Sequence, residues 1–261
     1  MKKVLILSIS TGQGHHAVGK TLKKKYEAEG HEVRFLDAYE YVWPALAAVL
    51  SKGYIATTKY LPTVMARTAY DLMLKKDTPS KKLMPISLIN AGLARRLRRY
   101  IKIYDPDLII CTHVLAAMLA ERLKFKKSLR AITCGIVTDF TVHPLWQNVP
   151  ELDFFVTPSE LLNFQMEKKG IKKEKIFSFG LPVKEEFVPS IDKSIAREKL
   201  NLSKRLNTVL IMGGSMGHGN LVYILDRIDG MGMPLQGMVV CGNNKKIFNE
   251  LKRKNLRKNF K

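Results

Sequence analysis

The chain has 261 residues, of which 46% are hydrophobic and 26% charged, and a formal net charge of +21. That size and mix describe one large or two modest folded domains with a substantial core, and exclude a disordered chain. The charge favours polyanionic partners, either nucleic acid or the anionic face of a membrane.

The first strand is read over Lys3 to Ser8, and it runs into Ser10-Thr11-Gly12-Gln13-Gly14-His15-His16-Ala17. A glycine turn between a strand and a helix N-terminus gathers backbone N–H groups and the positive end of the helix dipole at one point. Three patterns fit the stretch. Gly12-x-Gly14-x-x-Ala17, with Asp37 ending the next strand, matches a dinucleotide fingerprint. Gly14 to Thr21 matches G-x-x-x-x-G-K-T. Ser-x-Gly-x-Gly-His is the third. Ala17, Val18, Leu22 and Tyr26 fall on one helical face, so the helix starts near His15 and leaves Lys20 in its second turn, which disfavours a P-loop. The dinucleotide fingerprint fits little better, because several residues separate the strand from Gly12.

Helix Ala17 to Glu29 and strand Glu32 to Asp37 follow. Between Tyr39 and Met73 the sequence is dense in large apolar residues, Trp43 among them, with scattered lysines and arginines. It is either a pair of core-packing helices or a surface that dips into a bilayer with Trp43 at headgroup level. In helix Ile89 to Tyr104, Leu93, Leu97, Ile101 and Tyr104 oppose Arg95, Arg96, Arg98, Arg99 and Lys102. Such a helix is either packed with a solvated face or laid on a membrane. Strands Asp107 to Thr112, Ala131 to Thr138, Asp153 to Thr157 and Lys175 to Phe179 alternate with helices Ala116 to Lys124 and Ser159 to Lys169. The alternation predicts an α/β fold with a parallel sheet covered on both faces.

Gly180-Leu181-Pro182-Val183 breaks the pattern, and the boundary is placed between a domain of residues 1–187 and one of 188–261. The second domain restarts with strand Asn207 to Met212, the loop Gly213-Gly214-Ser215-Met216-Gly217-His218-Gly219, helix Leu221 to Ile228, strand Pro234 to Cys241 and Gly242-Asn243-Asn244, then a basic helix. It offers two strands where a doubly wound half has about five or six, so it reads as incomplete.

Cys111, Cys134 and Cys241 lie in apolar runs without C-x-x-C spacing, as buried thiols of a reducing cytoplasm do. No zinc-finger spacing or RNP motif supports a nucleic-acid partner, and no protein partner is evident. No secretory leader and no apolar run of the about 20 residues that span a bilayer are expected.

Chemistry in an open α/β sheet gathers at the strand carboxyl ends. The candidates there are Gly14 and His15, then His113, then Asp139, His143 and Trp146. An aspartate at the tip of a buried strand with a histidine four residues on points to function more than to a turn cap. His16 is read as a helix-start residue with no chemical role.

Taken in order, Ser10-x-Gly12-x-Gly14-His15, Thr138-Asp139-Phe140-x-x-His143-x-x-Trp146, Gly180-Leu181-Pro182-Val183, Gly213-Gly214-Ser215-x-Gly217 and Cys241-Gly242-Asn243-Asn244 resemble the monogalactosyldiacylglycerol synthase and processive diacylglycerol β-glucosyltransferase family. The resemblance implies a glycosyltransferase B plan of two Rossmann-like halves, the second incomplete. It further implies transfer of glucose or galactose from UDP-glucose or UDP-galactose to diacylglycerol, with no cofactor and no metal. The place of action would be the cytoplasmic face of the cell membrane, among anionic lipids. By position, His15 is the general base and Asp139 orients or charge-stabilises it. Gly14, His113, His143, Trp146 and Trp43 lie on the acceptor and membrane side. Gly213, Gly214, Ser215 and Gly217 bring backbone N–H groups to the departing UDP, and Asn243 lies near the nucleotide. The family's Pro-Gly-Gly loop and following acidic residue do not occur in this sequence. A non-catalytic lipid- or nucleotide-binding remnant is therefore the alternative, and a nucleotide-dependent oxidoreductase the third reading.

Overall fold

A computed structural model describes residues 1–10, 13–42, 44, 95–125, 129–187, 191–215, 217, 219–254, 256 and 260. The chain forms two compact units, Met1–Glu185 and Glu186–Lys261. Trp43 and nearly all of the Tyr39 to Met73 stretch lie outside the described residues.

In the first unit, Lys3–Ser8 (β1), Glu32–Asp37 (β2), Leu108–Cys111 (β3), Ile132–Ile136 (β4), Phe154–Val156 (β5) and Ile176–Phe177 (β6) form one sheet. Its order is β2-β1-β3-β4-β5-β6, and every pairing is parallel. β1 is apolar at successive positions because both its faces are covered. Leu5 and Leu7 join Ile109 and Cys111 in a core with Leu97 and Ile101 of a helix over 95–104, whereas Val4 and Ile6 join Ile110, Ile136 and Val18. Side chains alternate across a strand, so this split is the period of two at work.

Gln13–Ala28 (α1) thus covers one face, and the helix over 95–104 and Val114–Phe125 cover the other. Between α1 and these lies the short Ala38–Val42 (α2), so they are α3 and α4. α1 already begins at Gln13, and Lys20 is exposed in its second turn, where it cannot serve as a phosphate lysine. In α3, Leu97, Ile101 and Tyr104 are buried while Arg95, Arg96, Arg98, Arg99 and Lys102 are exposed. The membrane reading of its apolar face is corrected: the sheet already covers that stripe. Asn163–Lys168 (α5) connects β5 and β6.

In the second unit, Lys193–Lys199 (α6), capped by Asp192, precedes Asn207–Met212 (β7). Leu221–Gly230 (α7) leads to Leu235–Val240 (β8), parallel to β7, and Lys245–Arg253 (α8) follows. The core is small: Ile211, Leu221 and Leu225, with partly buried Val209, Ile228, Val239 and neighbours. Among the described residues no helix is long and apolar enough to cross a membrane.

Candidate active site

In an open parallel sheet the ligand crevice lies outside the strand carboxyl ends, where the strand order reverses. Here the order reverses between β1 and β3. The Thr112 hydroxyl, just past β3, donates to Ser8 Oγ at the end of β1 over 2.9 Å. His15, in the first turn of α1, reaches the same place. Its Nδ1 is 3.0 Å from the Thr112 carbonyl oxygen, and Thr138 Oγ1, just past β4, bonds to the same nitrogen.

A carbonyl oxygen can only accept, so Nδ1 carries the ring proton and Nε2 keeps the lone pair. Burial holds the His15 imidazole below its ordinary 6.5, against the opposing Asp139 charge and Thr112 carbonyl, with His16 adding to the lowering. A neutral imidazole of fixed tautomer is the form a general base needs at neutral pH. The His113 ring stands edge-on to it, 4.5 Å between centroids. Burial first, then the charges of His15 and His143, push His113 down to about 3, and its Nδ1 accepts the Leu115 N–H at the start of α4.

His16, read as a helix-start residue with no chemical role, stands in the first turn of α1 and also reaches β2. Its Nε2 lies 3.2 Å from Asp37 Oδ2, which also accepts the Ser10 hydroxyl at 2.8 Å. Asp37 Oδ1 accepts the N–H groups of Tyr39 and Glu40, capping α2. Burial raises this carboxyl, but the bonds from His16, Glu40 and Ser10 outweigh it and bring it down to about 2. Both oxygens are thus engaged by the protein, and the dinucleotide reading loses the carboxylate it needs for a ribose. Adjacent in sequence, His15 and His16 point about a third of a turn apart on α1, one anchored past β3 and β4, the other on β2.

The segment after β4 is only partly as expected. Asp139, Phe140 and Thr141 are exposed, and Asp139 acts on His15 and His143 through space. His143 caps the 3-10 turn Pro144–Asn148, its Nδ1 accepting the Leu145 N–H at 3.2 Å. Trp146 is a correction. It is 1% exposed and packs edge-on against Phe155, so it belongs to the core and not to the acceptor side. The cause is Gly135 in β4, where a Cβ would come within 2.7 Å of the indole; the missing side chain makes the slot that the ring fills. Gly14 is exposed, and nothing lies within 4 Å of where its Cβ would be.

In the second unit the glycine loop is braced by the turn after β8. The Gly213 N–H bonds to Val240 O, the Gly217 N–H to Gly214 O, and the Asn243 N–H to Ser215 O. The expectation that the N–H groups of Gly213 and Gly217 meet a diphosphate is therefore corrected, since the first bonds to Val240 at the end of β8 and the second to Gly214 within the loop. Sequence reasoning also passed over Asn244. Its Nδ2 donates to Gly217 O at 3.1 Å and its Oδ1 accepts the Ile247 N–H, capping α8. The neighbouring Asn243 is exposed. Thr112, Thr138 and Asn244 were given no role from the sequence because each acts through a bond to a residue distant in sequence.

A family model described as monogalactosyldiacylglycerol (MGDG) synthase matches residues 15–183. An uncharacterized glycosyltransferase of Bacillus subtilis, YkoN, is 26% identical over 255 residues, covering 97% of this chain and 65% of its own. A probable chloroplastic monogalactosyldiacylglycerol synthase of Glycine max is 28% identical over 264 residues, covering 96% and 49%. A processive diacylglycerol beta-glucosyltransferase of Bacillus cereus is 27% identical over 252 residues, covering 95% and 62%. The chain spans between about half and two thirds of the length of these relatives. Among solved structures, MurG of Acinetobacter baumannii aligns at a TM-score of 0.54 with 12% identity, covering 100% of this chain and 66% of that one. HepE of Anabaena, in complex with UDP-glucose, aligns at 0.54 with 14% identity, covering 100% and 68%. The fold is that of the glycosyltransferase B plan, with two Rossmann-like halves. With a match that starts at His15, takes in Thr138 to Trp146 and ends at Val183, the chain belongs to the monogalactosyldiacylglycerol synthase family of glycosyltransferases.

Proposed function

We propose that this protein transfers glucose or galactose from a UDP-sugar to diacylglycerol, with inversion at the sugar carbon and His15 as general base. The observation that carries the reading is the His15 imidazole, whose pKa burial lowers and whose Nδ1 is bonded to the Thr112 carbonyl, leaving Nε2 as the basic nitrogen. Nε2 takes the proton of the acceptor hydroxyl as that oxygen bonds to the anomeric carbon. The bond from that carbon to UDP breaks on the opposite face, and UDP leaves with its electron pair. Asp139 steadies the imidazolium that forms, because its charge raises the His15 pKa. His16, Asp37 and Ser10 keep the first turn of α1 in place. Gly214, Ser215 and Asn243 serve the nucleotide. Family membership and the activities that the Glycine max and Bacillus cereus relatives are named for support the substrate class. The charge of +21 supports action as a peripheral protein on the anionic inner face of the cell membrane.

The test is incubation with UDP-glucose or UDP-galactose and vesicles containing diacylglycerol, with the lipids read by mass spectrometry. Hexosyl-diacylglycerol is expected with at least one donor. Absence of product with both, alongside measured binding of UDP or diacylglycerol, would leave the non-catalytic remnant as the answer.

A further inference from the structure

A basic concavity of the first unit is lined by none of the residues around His15. Four cations, Lys3 of β1, Arg34 of β2 and Arg96 and Arg99 of α3, surround a cavity of ≈ 600 Å³ with Tyr41 of α2 and Tyr100 and Tyr104 of α3. Two of the three arginines lie over aromatic rings: Arg96 is 5.4 Å from the Tyr41 ring centre and Arg34 6.0 Å from that of Tyr104. Arg96 also donates to the Val42 carbonyl at 3.1 Å, and the Lys3 ammonium to the Tyr104 carbonyl at 3.3 Å. These bonds fix the cations without neutralising them. Glu32, 3.8 Å from Arg34, is the one carboxylate paired with a lining cation among the described residues. Four cations less one carboxylate leave three positive charges facing one space.

A packing role for these side chains would not need them concentrated. Like charges in one concavity repel, and the field of a chain this basic adds to the cost. Guanidinium forks pre-set on aromatic faces match the several oxygens of a phosphate, and they match a single carboxylate less well. Burial keeps the Tyr100 phenol protonated well into alkaline pH, so it remains a donor. We propose that this groove is a binding site for a phosphate-bearing ligand, separate from the His15 cluster. The assignment stands on the groove alone and does not depend on His15 acting as a base.

Two probes distinguish the source of the phosphate. Glycerol 3-phosphate, titrated calorimetrically, represents a free phosphate ester. Phosphatidylcholine vesicles with and without phosphatidic acid, read by co-sedimentation, represent a lipid headgroup. The doubly substituted Arg34→Gln/Arg99→Gln protein is compared with Lys172→Gln/Lys173→Gln, which removes the same charge from exposed positions elsewhere. Binding to at least one probe should weaken about tenfold or more in the groove variant, as expected for lost charge-assisted bonds, and stay within about twofold in the control. Binding to vesicles alone assigns a headgroup, and binding to both probes assigns the phosphate ester itself. Equal weakening in the two variants would show a diffuse charge effect and overturn the site. So would failure to bind either probe, or an oligonucleotide that binds more tightly than both and is lost in the groove variant.

Discussion

Both units open on an apolar strand, a glycine loop, a helix and a parallel strand, yet the two strands end up in different surroundings. β1 is buried at five successive positions, between β2 and β3 and beneath helices on both faces. β7 is as apolar in sequence but among the described residues is paired only with β8, and Leu210 and Met212 are 53% and 61% exposed. The apolar pattern of a strand reports what it can bury; neighbours in the sheet decide what it does bury. The loops differ in the same sense. After β1 the first turn of α1 presents titratable side chains, His15 and His16, each tied to another strand's end. After β7 the loop is a backbone structure closed on the Cys241–Asn244 turn. The proposed function assigns proton transfer to the first unit and nucleotide contact to the second.

The largest effect tests that division. His15→Ala should lower kcat about 10²–10⁴-fold, the usual worth of a general base, while UDP affinity measured by calorimetry changes little. If UDP affinity falls in step with turnover, the division of labour is wrong. Asp139→Asn should act in the same direction and more weakly, because it reaches His15 only through its charge.

Next in size is the contrast between the cores. Ile6→Ala removes a fully buried side chain and should cost about 2–5 kcal/mol. Leu210→Ala should stay within about 0.5 kcal/mol, as surface substitutions do. Denaturant titration followed by limited proteolysis reads both, the first as loss of a resistant N-terminal fragment. Equal costs would mean that β7 is covered as β1 is.

A pair of glycines sharpens the loop comparison. At Gly217 φ is +59°, and a Cβ would overlap the Cys241 carbonyl, so Gly217→Ala should cost about 1–3 kcal/mol and weaken UDP binding. Gly14→Ala meets open space in the folded chain and should leave stability nearly unchanged. A fall in turnover without a fall in stability for Gly14→Ala would mean that a substrate approaches that backbone closely.

These contrasts also show what the sequence could and could not reveal. The strands of both units were legible because hydrophobic runs, glycine loops and turn residues are local signals. The place of His15 near the strand ends was legible because it follows a glycine pattern after a strand in the sequence. Trp146 was misread because its place depends on the slot left by Gly135, eleven residues upstream and on another element. The contact of His16 with Asp37 was not legible because the two meet only when β2 pairs with β1. Asn244 was passed over for Asn243 because two adjacent asparagines look alike until one of them turns inward to Gly217. What escaped is tertiary: bonds between loops that the strand order brings together.

The smallest effect concerns pH, and it again separates the units, since burial-driven titration shifts of carboxyl and imidazole groups fall in the first among the described residues. Glu121 of α4 is buried and accepts the Glu151 N–H with both oxygens at 3.1 Å. Burial raises its carboxyl to about 7, opposed by the bonds from Glu151 and Leu152 and by Lys175, and reinforced by the Glu151 charge. A carboxyl raised on folding binds more protons in the native than in the unfolded state. Its contribution is full below the ordinary value of 4.5 and is lost as pH rises through about 7. His113 runs the other way. It is lowered to about 3, so its contribution is full above 6.5 and is lost as pH falls toward 3. Between pH 4.5 and 6.5 the two slopes oppose each other and flatten the stability of the first unit. Glu121→Gln keeps an acceptor for the Glu151 N–H but removes the titration. The variant should therefore gain stability relative to the parent as pH rises from 4.5 to 8, and show the rising slope that His113 and His15 impose. Denaturant midpoints of the first unit at four or five pH values read this directly. A variant-to-parent difference that is constant across the range would mean that Glu121 is ionised in the folded protein, and that its burial is shallower than that of its neighbours in α4.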